Sequence, residues 1–299
     1  MKRVIGVDLG GTSIYGGLIN ERGEILKRVS RATDSEGGRN VVLGKVKEVI
    51  EELIEDEKIE AIGLGSPGFI DVKRGEVLTI GGNIKGWAGT KIREELSTEF
   101  KGIPIFVEND ANVAAICEEW LGSGKGLDSF IMLTLGTGVG GAIFSKKSGI
   151  WYGINYQGAE LGHTILYPKG RLCGCGQRGC VEQYISGNAV ENTYLELTGE
   201  KLKGKDIFSN YETDENSKKT VDKFIMDLGT YLISIKNIFD PEGIIIGGGV
   251  INSKEYWWGK MLDYYHNNCN SSKGTEILPA QFLNDAGMIG AAKVALDNI

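Results

Sequence analysis

The sequence predicts an α/β protein made of two related domains facing each other across a cleft. Three observations predict it: glycine clusters that each follow a short apolar run, a likeness between two of the hairpins so formed, and amphipathic helical stretches in the intervals. The chain of 299 residues holds 45 Gly against 5 Pro, about twice the usual glycine share. Their placement therefore carries information. Val4-Ile5-Gly6-Val7 leads into Asp8-Leu9-Gly10-Gly11-Thr12, and Phe130-Ile131-Met132-Leu133-Thr134-Leu135 leads into Gly136-Thr137-Gly138-Val139-Gly140-Gly141. A third run, Ile244-Ile245-Ile246, leads into Gly247-Gly248-Gly249. Runs this short and this β-branched read as buried strands.

After the first two clusters the apolar pattern resumes at once, at Ile14 and at Ala142. Each is thus a strand, a glycine turn and a second strand, with bare backbone N–H groups at the tip that can approach a phosphate closely. Leu9-Gly10 and Leu135-Gly136 fall at the same place in the two patterns. The offset is too long for a solenoid, so a duplicated pair of domains is expected. Residues 46–54 carry apolar side chains at 46, 49, 50, 53 and 54, a helical stripe that packs on a sheet. Residues 103–107 form a further strand ending in Glu108-Asn109-Asp110, with a helical run after it. Residues 217–239 read as a long amphipathic helix that stops at Asp240-Pro241, where proline forbids continuation. The interval 199–216 is polar and weakly periodic; it reads as a mobile loop or a family-variable insertion, and no chemistry is assigned to it. Two familiar phosphate motifs are excluded. Gly136-x-Gly138-x-x-Gly141 continues as strand where a dinucleotide fingerprint must open a helix, and Gly199-x-x-x-x-Gly204-Lys205 has Asp206 where a P-loop needs a hydroxyl.

The balance of 33 Lys plus Arg against 40 Asp plus Glu gives a formal net charge of −7. Bulk charge therefore argues against nucleic acid or an anionic membrane as partner. A hydrophobic share of 41% with 24% charged residues suits a globular protein. No apolar run is long enough to span a bilayer, and the opening strand meets Asp8 too soon for a signal peptide. A cytoplasmic location is expected. Three of the 5 Cys, at 173, 175 and 180, lie close to His163. Three thiolates and an imidazole complete a tetrahedral Zn²⁺ shell with no open position, so the site should be structural. Cys117 and Cys269 stand apart. Glu160 and Glu182 flank the knot, and a pair of carboxylates held there can accept hydrogen bonds from vicinal hydroxyls of a sugar. Asp110, at the carboxyl end of a strand, can take a proton from a substrate hydroxyl; it or its neighbour Asn109 can equally cap the helix that follows. Asp8 either caps a turn or, facing phosphates, holds Mg²⁺ through water.

Asp8-Leu9-Gly10-Gly11-Thr12, Glu108-Asn109-Asp110, Leu135-Gly136-Thr137-Gly138, Glu160-x-Gly162-His163, the cysteine run from 173 to 182 and Gly247-Gly248-Gly249 together resemble the ROK family of sugar kinases and repressors. The likeness covers nearly the whole chain in the right order, and the cysteine run is its most specific part. It implies an actin-like, hexokinase-type, ribonuclease H-like duplicated fold, with one domain over 1–118 plus the C-terminal helix at 286–299 and the other over 119–285. By the same resemblance Asp110 is the general base for the sugar 6-hydroxyl, and Ser66, Gly68, Asn83, Asn109, Glu160, His163 and Glu182 bind the sugar. Gly10, Gly11, Thr12, Gly136, Thr137 and Gly138 hold the ATP phosphates, Gly247, Gly248 and Gly249 the adenosine, and Asp8 the Mg²⁺. His163, Cys173, Cys175 and Cys180 hold Zn²⁺, so that His163 couples metal to sugar. A homodimer is implied as well. The family's repressors carry a DNA-reading segment before the core, whereas the first strand here starts at Val4; with a charge of −7 a regulator is not expected. Glucose is placed first as substrate and N-acetylmannosamine second, since an N-acetyl group needs room near C2 that single positions do not reveal.

Overall fold

The computed structural model describes residues 2–54, 58–79 and 84–299. They divide into two compact units: Met1–Gly126 with Tyr152–Gly158 and Asn284–Ile299, and Leu127–Trp151 with Ala159–Leu283. Asn83 lies outside the described residues.

In the first unit β1 (Arg3–Leu9) turns through the first glycine cluster into β2 (Ser13–Asn20), and β3 (Ile25–Ala32) follows. Helix α1 (Gly38–Ile54) then presents Val42, Val46, Val49, Ile50 and Leu53 to the sheet; it starts eight residues before the stripe that announces it. Strand β4 (Ala61–Ser66) is buried throughout, β5 (Phe69–Asp71) and β6 (Glu76–Thr79) make a small hairpin, and α2 (Ile92–Glu99) leads to β7 (Ile105–Asn109) and α3 (Asp110–Trp120). The main sheet has the order β3-β2-β1-β4-β7, antiparallel on the β1–β2–β3 side and parallel from β1 through β4 to β7.

The second unit repeats this plan. Strands β8 (Ser129–Leu135), β9 (Val139–Ser145) and β10 (Gly149–Ile150) form its antiparallel side. Then come α4 (Glu182–Ile185), α5 (Gly187–Thr198), α6 (Gly204–Ser209) and α7 (Glu215–Phe239). The parallel strands β11 (Gly243–Gly247) and β12 (Glu276–Pro279) flank α8 (Lys254–Asn268) and give the order β10-β9-β8-β11-β12. Two sheets of one topology are what the matching hairpins predict. Helix α7 ends as its sequence requires: the Asp214 side chain accepts from Ser217 N–H at the start, and Asp240 adopts φ 44° just before Pro241.

Within 199–216 the structure shows helix and turn rather than a loop. Gly199 is the left-handed C-cap of α5 with φ 76°, and α6 and the turn after it bury Ile207, Phe208 and Tyr211 in the core of the second unit. Three large apolar groups within five positions are enough to order the segment, because burying each is worth about 1.5–3 kcal/mol. The chain then returns to the first unit as α9 (Ala286–Asp297). This helix lies against β1 and β4, where glycines admit its backbone: a Cβ at Gly6 would meet Met288 O at 2.0 Å, and one at Gly63 would meet Ala291 O at 1.8 Å. Gly63→Ala is therefore expected to cost about 1–3 kcal/mol or more, as overpacking does. Urea unfolding at constant m-value measures it, and an unchanged midpoint would show that α9 is not held at this contact.

Candidate active site

In the first unit the acidic groups gather at the carboxyl ends of the parallel strands. Asn109 is the N-cap of α3, and its Oδ1 accepts from the N–H groups of Ala111 and Asn112 while its Nδ2 donates to Gly68 O at 3.0 Å. The capping task thus falls to Asn109 and leaves the adjacent Asp110 free for chemistry. Asp110 takes one bond from Ala111 N–H at 2.8 Å and is exposed to solvent. The protein packed around its carboxyl nevertheless pushes it up to about 6. Asp8, at the end of β1, is pushed up to about 7, first by burial and then by the charge of Asp110. Carboxyls raised in this way can accept a proton at neutral pH or be held charged by a cation. Asp8 also packs against the first turn of α9, where a Cβ at Gly287 would stand 2.3 Å from its carboxyl carbon. Gly10, Gly11 and Thr12 form the turn after β1, fixed by Gly10 N–H to Ser13 O and by the Thr33 hydroxyl to Gly10 O. Ser66 is fully buried and its hydroxyl receives the Trp87 indole N–H at 3.1 Å, so it braces the strand end.

In the second unit the glycine turn and the start of the segment after β11 come together. Gly136, Thr137 and Gly249 line one cavity of about 730 Å³, with Gly187, Lys203, Lys205 and Tyr256 among the other lining residues. Space beside Gly136 is open, as a phosphate cradle requires. Gly247 and Gly248 do not line it; a Cβ at Gly248 would meet the Leu135 backbone at 2.5 Å, and one at Gly247 the Met132 methyl at 2.8 Å. Those two glycines serve the close passage of the chain over β8. Lys203, Gly204 and Lys205, from the interval to which the sequence assigns no chemistry, belong to this lining.

The geometry of the cysteine knot is compatible with a metal ion. His163 Nδ1 lies 3.7 Å from Cys173 Sγ, Cys175 Sγ lies 3.6 Å from Cys180 Sγ, and one donor atom from each of the four fits within 4.8 Å of the rest. Thiolates about 2.3 Å from a shared tetrahedral zinc would stand about 3.8 Å apart, so the donor set fits the metal. Burial opposes ionisation of Cys175, but hydrogen bonds from Gln177 outweigh it and hold this thiol below its ordinary value. The knot is braced by α7: the Tyr231 hydroxyl donates to Leu161 O at 2.7 Å and the Tyr167 hydroxyl to buried Asp227 at 2.5 Å. His163 turns its other nitrogen, Nε2, towards Glu160 at 3.8 Å. Glu182 bridges the knot and the glycine turn, because its Oε2 accepts from Val139 N–H at 3.0 Å while its Oε1 faces Cys173 Sγ at 3.6 Å. Just before Glu160, Tyr156 and Ala159 are held at φ 56° and 62°. Such strain in non-glycine residues collects beside functional groups.

A family model described as the ROK family matches residues 4–298. The chain belongs to the ROK family. Its curated relatives include the glucokinase of Thermotoga maritima, 35% identical over 99% of this chain and 98% of the relative. The beta-glucoside kinase of Listeria monocytogenes is 31% identical over 97% and 96% of the two chains. Among solved structures, the ROK family glucokinase from Streptomyces griseus in complex with glucose and AMPPNP covers 99% of both chains, with a TM-score of 0.86 at 31% identity. The α/β hexokinase-type architecture of this ROK chain is thereby established. Among its described residues no helix is long and apolar enough to cross a membrane. Two side chains hydrogen-bonded beside Asp110 escape sequence reasoning: Glu108, quoted in the family motif without a role, and Tyr152, whose hydroxyl donates to Glu108 at 2.7 Å and which no motif marks.

Proposed function

We propose that this ROK protein is a sugar kinase that transfers the γ-phosphoryl group of ATP to the 6-hydroxyl of a hexose, with glucose first among substrates. The observation that carries this reading is Asp110: its carboxyl is raised to about 6 by the protein packed around it, and it stands at the start of α3 beside a neighbour that does the capping. A base is most effective when its pKa lies near the working pH, and positioned bases contribute about 10² to 10⁴ in rate. In the forward step Asp110 accepts the hydroxyl proton as the sugar oxygen bonds to the γ-phosphorus, and ADP departs with the electrons of the broken P–O bond. Asn109, Gly68, Asn83, Glu160, His163 and Glu182 bind the sugar in this reading, with Ser66 supporting the strand end from within. Gly10, Gly11, Thr12, Gly136, Thr137 and Gly138 receive the phosphates. A cavity of about 730 Å³ suits the rest of a nucleotide, since small-molecule sites span about 300–1,000 Å³. Asp8 would hold Mg²⁺, which would supply neutralising charge to the phosphates. Zn²⁺ in the knot is structural. The complex of the Streptomyces griseus relative with glucose and AMPPNP, and the names of the other two relatives, support the substrate class.

A coupled ADP-release assay with ATP and Mg²⁺ against glucose, mannose, fructose, N-acetylglucosamine and N-acetylmannosamine tests the proposal. Glucose is expected to give the highest kcat/KM, and silence across the panel from folded, zinc-loaded protein would refute it. The pH dependence follows from Asp110. The base acts when deprotonated, so kcat/KM should fall about tenfold per unit as pH drops below about 6. A profile flat from pH 8 to pH 4.5 would contradict its role.

A further inference from the structure

Glu108 lies next to the proposed base and is 3% exposed. A buried carboxylate is costly unless its oxygens are used. Here they are. Oε1 accepts from Asn109 N–H at 2.8 Å and from Asn112 Nδ2 at 2.9 Å, and Oε2 accepts from the Tyr152 hydroxyl at 2.7 Å. The first two bonds hold the residues on either side of Asp110. The third reaches into Tyr152–Gly158, a stretch whose neighbours on both sides in the chain belong to the second unit while it belongs to the first. This stretch closes on itself through Gly158 N–H to Tyr152 O at 2.8 Å, and the Tyr156 hydroxyl engages Asp71. Two residues beyond Gly158 stands Glu160. Burial and the Glu108 charge both keep the Tyr152 hydroxyl protonated, hence a permanent donor.

We infer that Glu108 and Tyr152 are a positioning pair, tying the start of α3, and so the aim of Asp110, to the stretch that runs on to Glu160. The inference rests on the reading of Asp110 as base. Loosening that aim misplaces the base rather than removing it, and displacements of about 1 Å can cost on the order of 100-fold.

Tyr152→Phe keeps the ring and deletes the bond. Its kcat is expected to fall about 10- to 100-fold, with KM for ATP within about twofold and the acid limb still near 6. Glu108→Ala should lose as much. Glu108→Gln should stay within about threefold of wild type, because its carbonyl oxygen can accept from Asn109 and Asn112 while its amide donates to the Tyr152 oxygen. Wild-type kcat in Tyr152→Phe, or Glu108→Gln as impaired as Glu108→Ala, would overturn the pairing. Amide hydrogen exchange gives a reading independent of turnover. In Tyr152→Phe the amides of Ala111 and Asn112 should exchange faster together with those of 152–158, and unchanged protection at Ala111 and Asn112 would overturn the tie whatever reaction the protein catalyses. An inactive wild type would count against the kinase proposal alone.

Discussion

Asp110→Asn should reduce kcat by about 10² to 10⁴ while sugar affinity stays within about tenfold, because the amide keeps the shape and the bond from Ala111 N–H but cannot take the proton. The same substitution should stabilise the fold. Asp110 and Asp8 have folded pKa values of about 6 and about 7, both above the ordinary carboxylate value. Between roughly pH 4 and pH 7 the folded chain therefore binds protons that the unfolded chain has released, and stability declines as pH rises through that window. Above it both carboxylates are charged and remain a cost. Removing one charge should raise Tm at pH 7.5 and leave it nearly unchanged at pH 4. A Tm rise of equal size at both pH values would mean that the charge is not the cause, and an active variant would remove Asp110 from the chemistry.

Loss of the metal is the second large expected effect. Cys175 is the exposed member of the knot, so Cys175→Ser removes a ligand without opening a cavity in the core. The variant should bind no zinc, against about one ion per chain in the wild type, and its sugar affinity should drop about 10- to 100-fold. The route runs through two residues. His163 presents Nδ1 to the cysteines and Nε2 to Glu160, and Glu182 touches Cys173 on one oxygen while binding Val139 N–H with the other. KM for ATP should change by less than about threefold, because the cavity beside Gly136 has none of the four ligands in its lining. Wild-type protein stripped of metal with unchanged sugar affinity would break the link between knot and pocket.

Much of this was legible in the sequence, for reasons that differ from residue to residue. The hairpins announce themselves because β-branched runs stop at glycines, and α7 because its amphipathic pattern stops at Asp240-Pro241, where the helix indeed ends. The knot is legible because metal ligands need fixed spacing. The segment 203–209 is not, because two helical turns among charges show no period, although Ile207 and Phe208 are core residues. Glycines that hold ligands and glycines that admit a neighbouring backbone look alike in a sequence; only the Leu135 backbone, 2.5 Å from where a Gly248 Cβ would lie, separates Gly248 from Gly249. The bond from Tyr152 to Glu108 spans 44 positions and has no local signal at all.

The central claim is transfer to a sugar hydroxyl with Asp110 as base. Phosphorus and carbon NMR of the product formed from glucose and ATP tests it most directly. The account predicts a phosphomonoester on carbon 6, formed by the wild type with one ADP per sugar and formed at most about a hundredth as fast by Asp110→Asn. Phosphate released to water, phosphorylation at another carbon, or equal product from both proteins would contradict it.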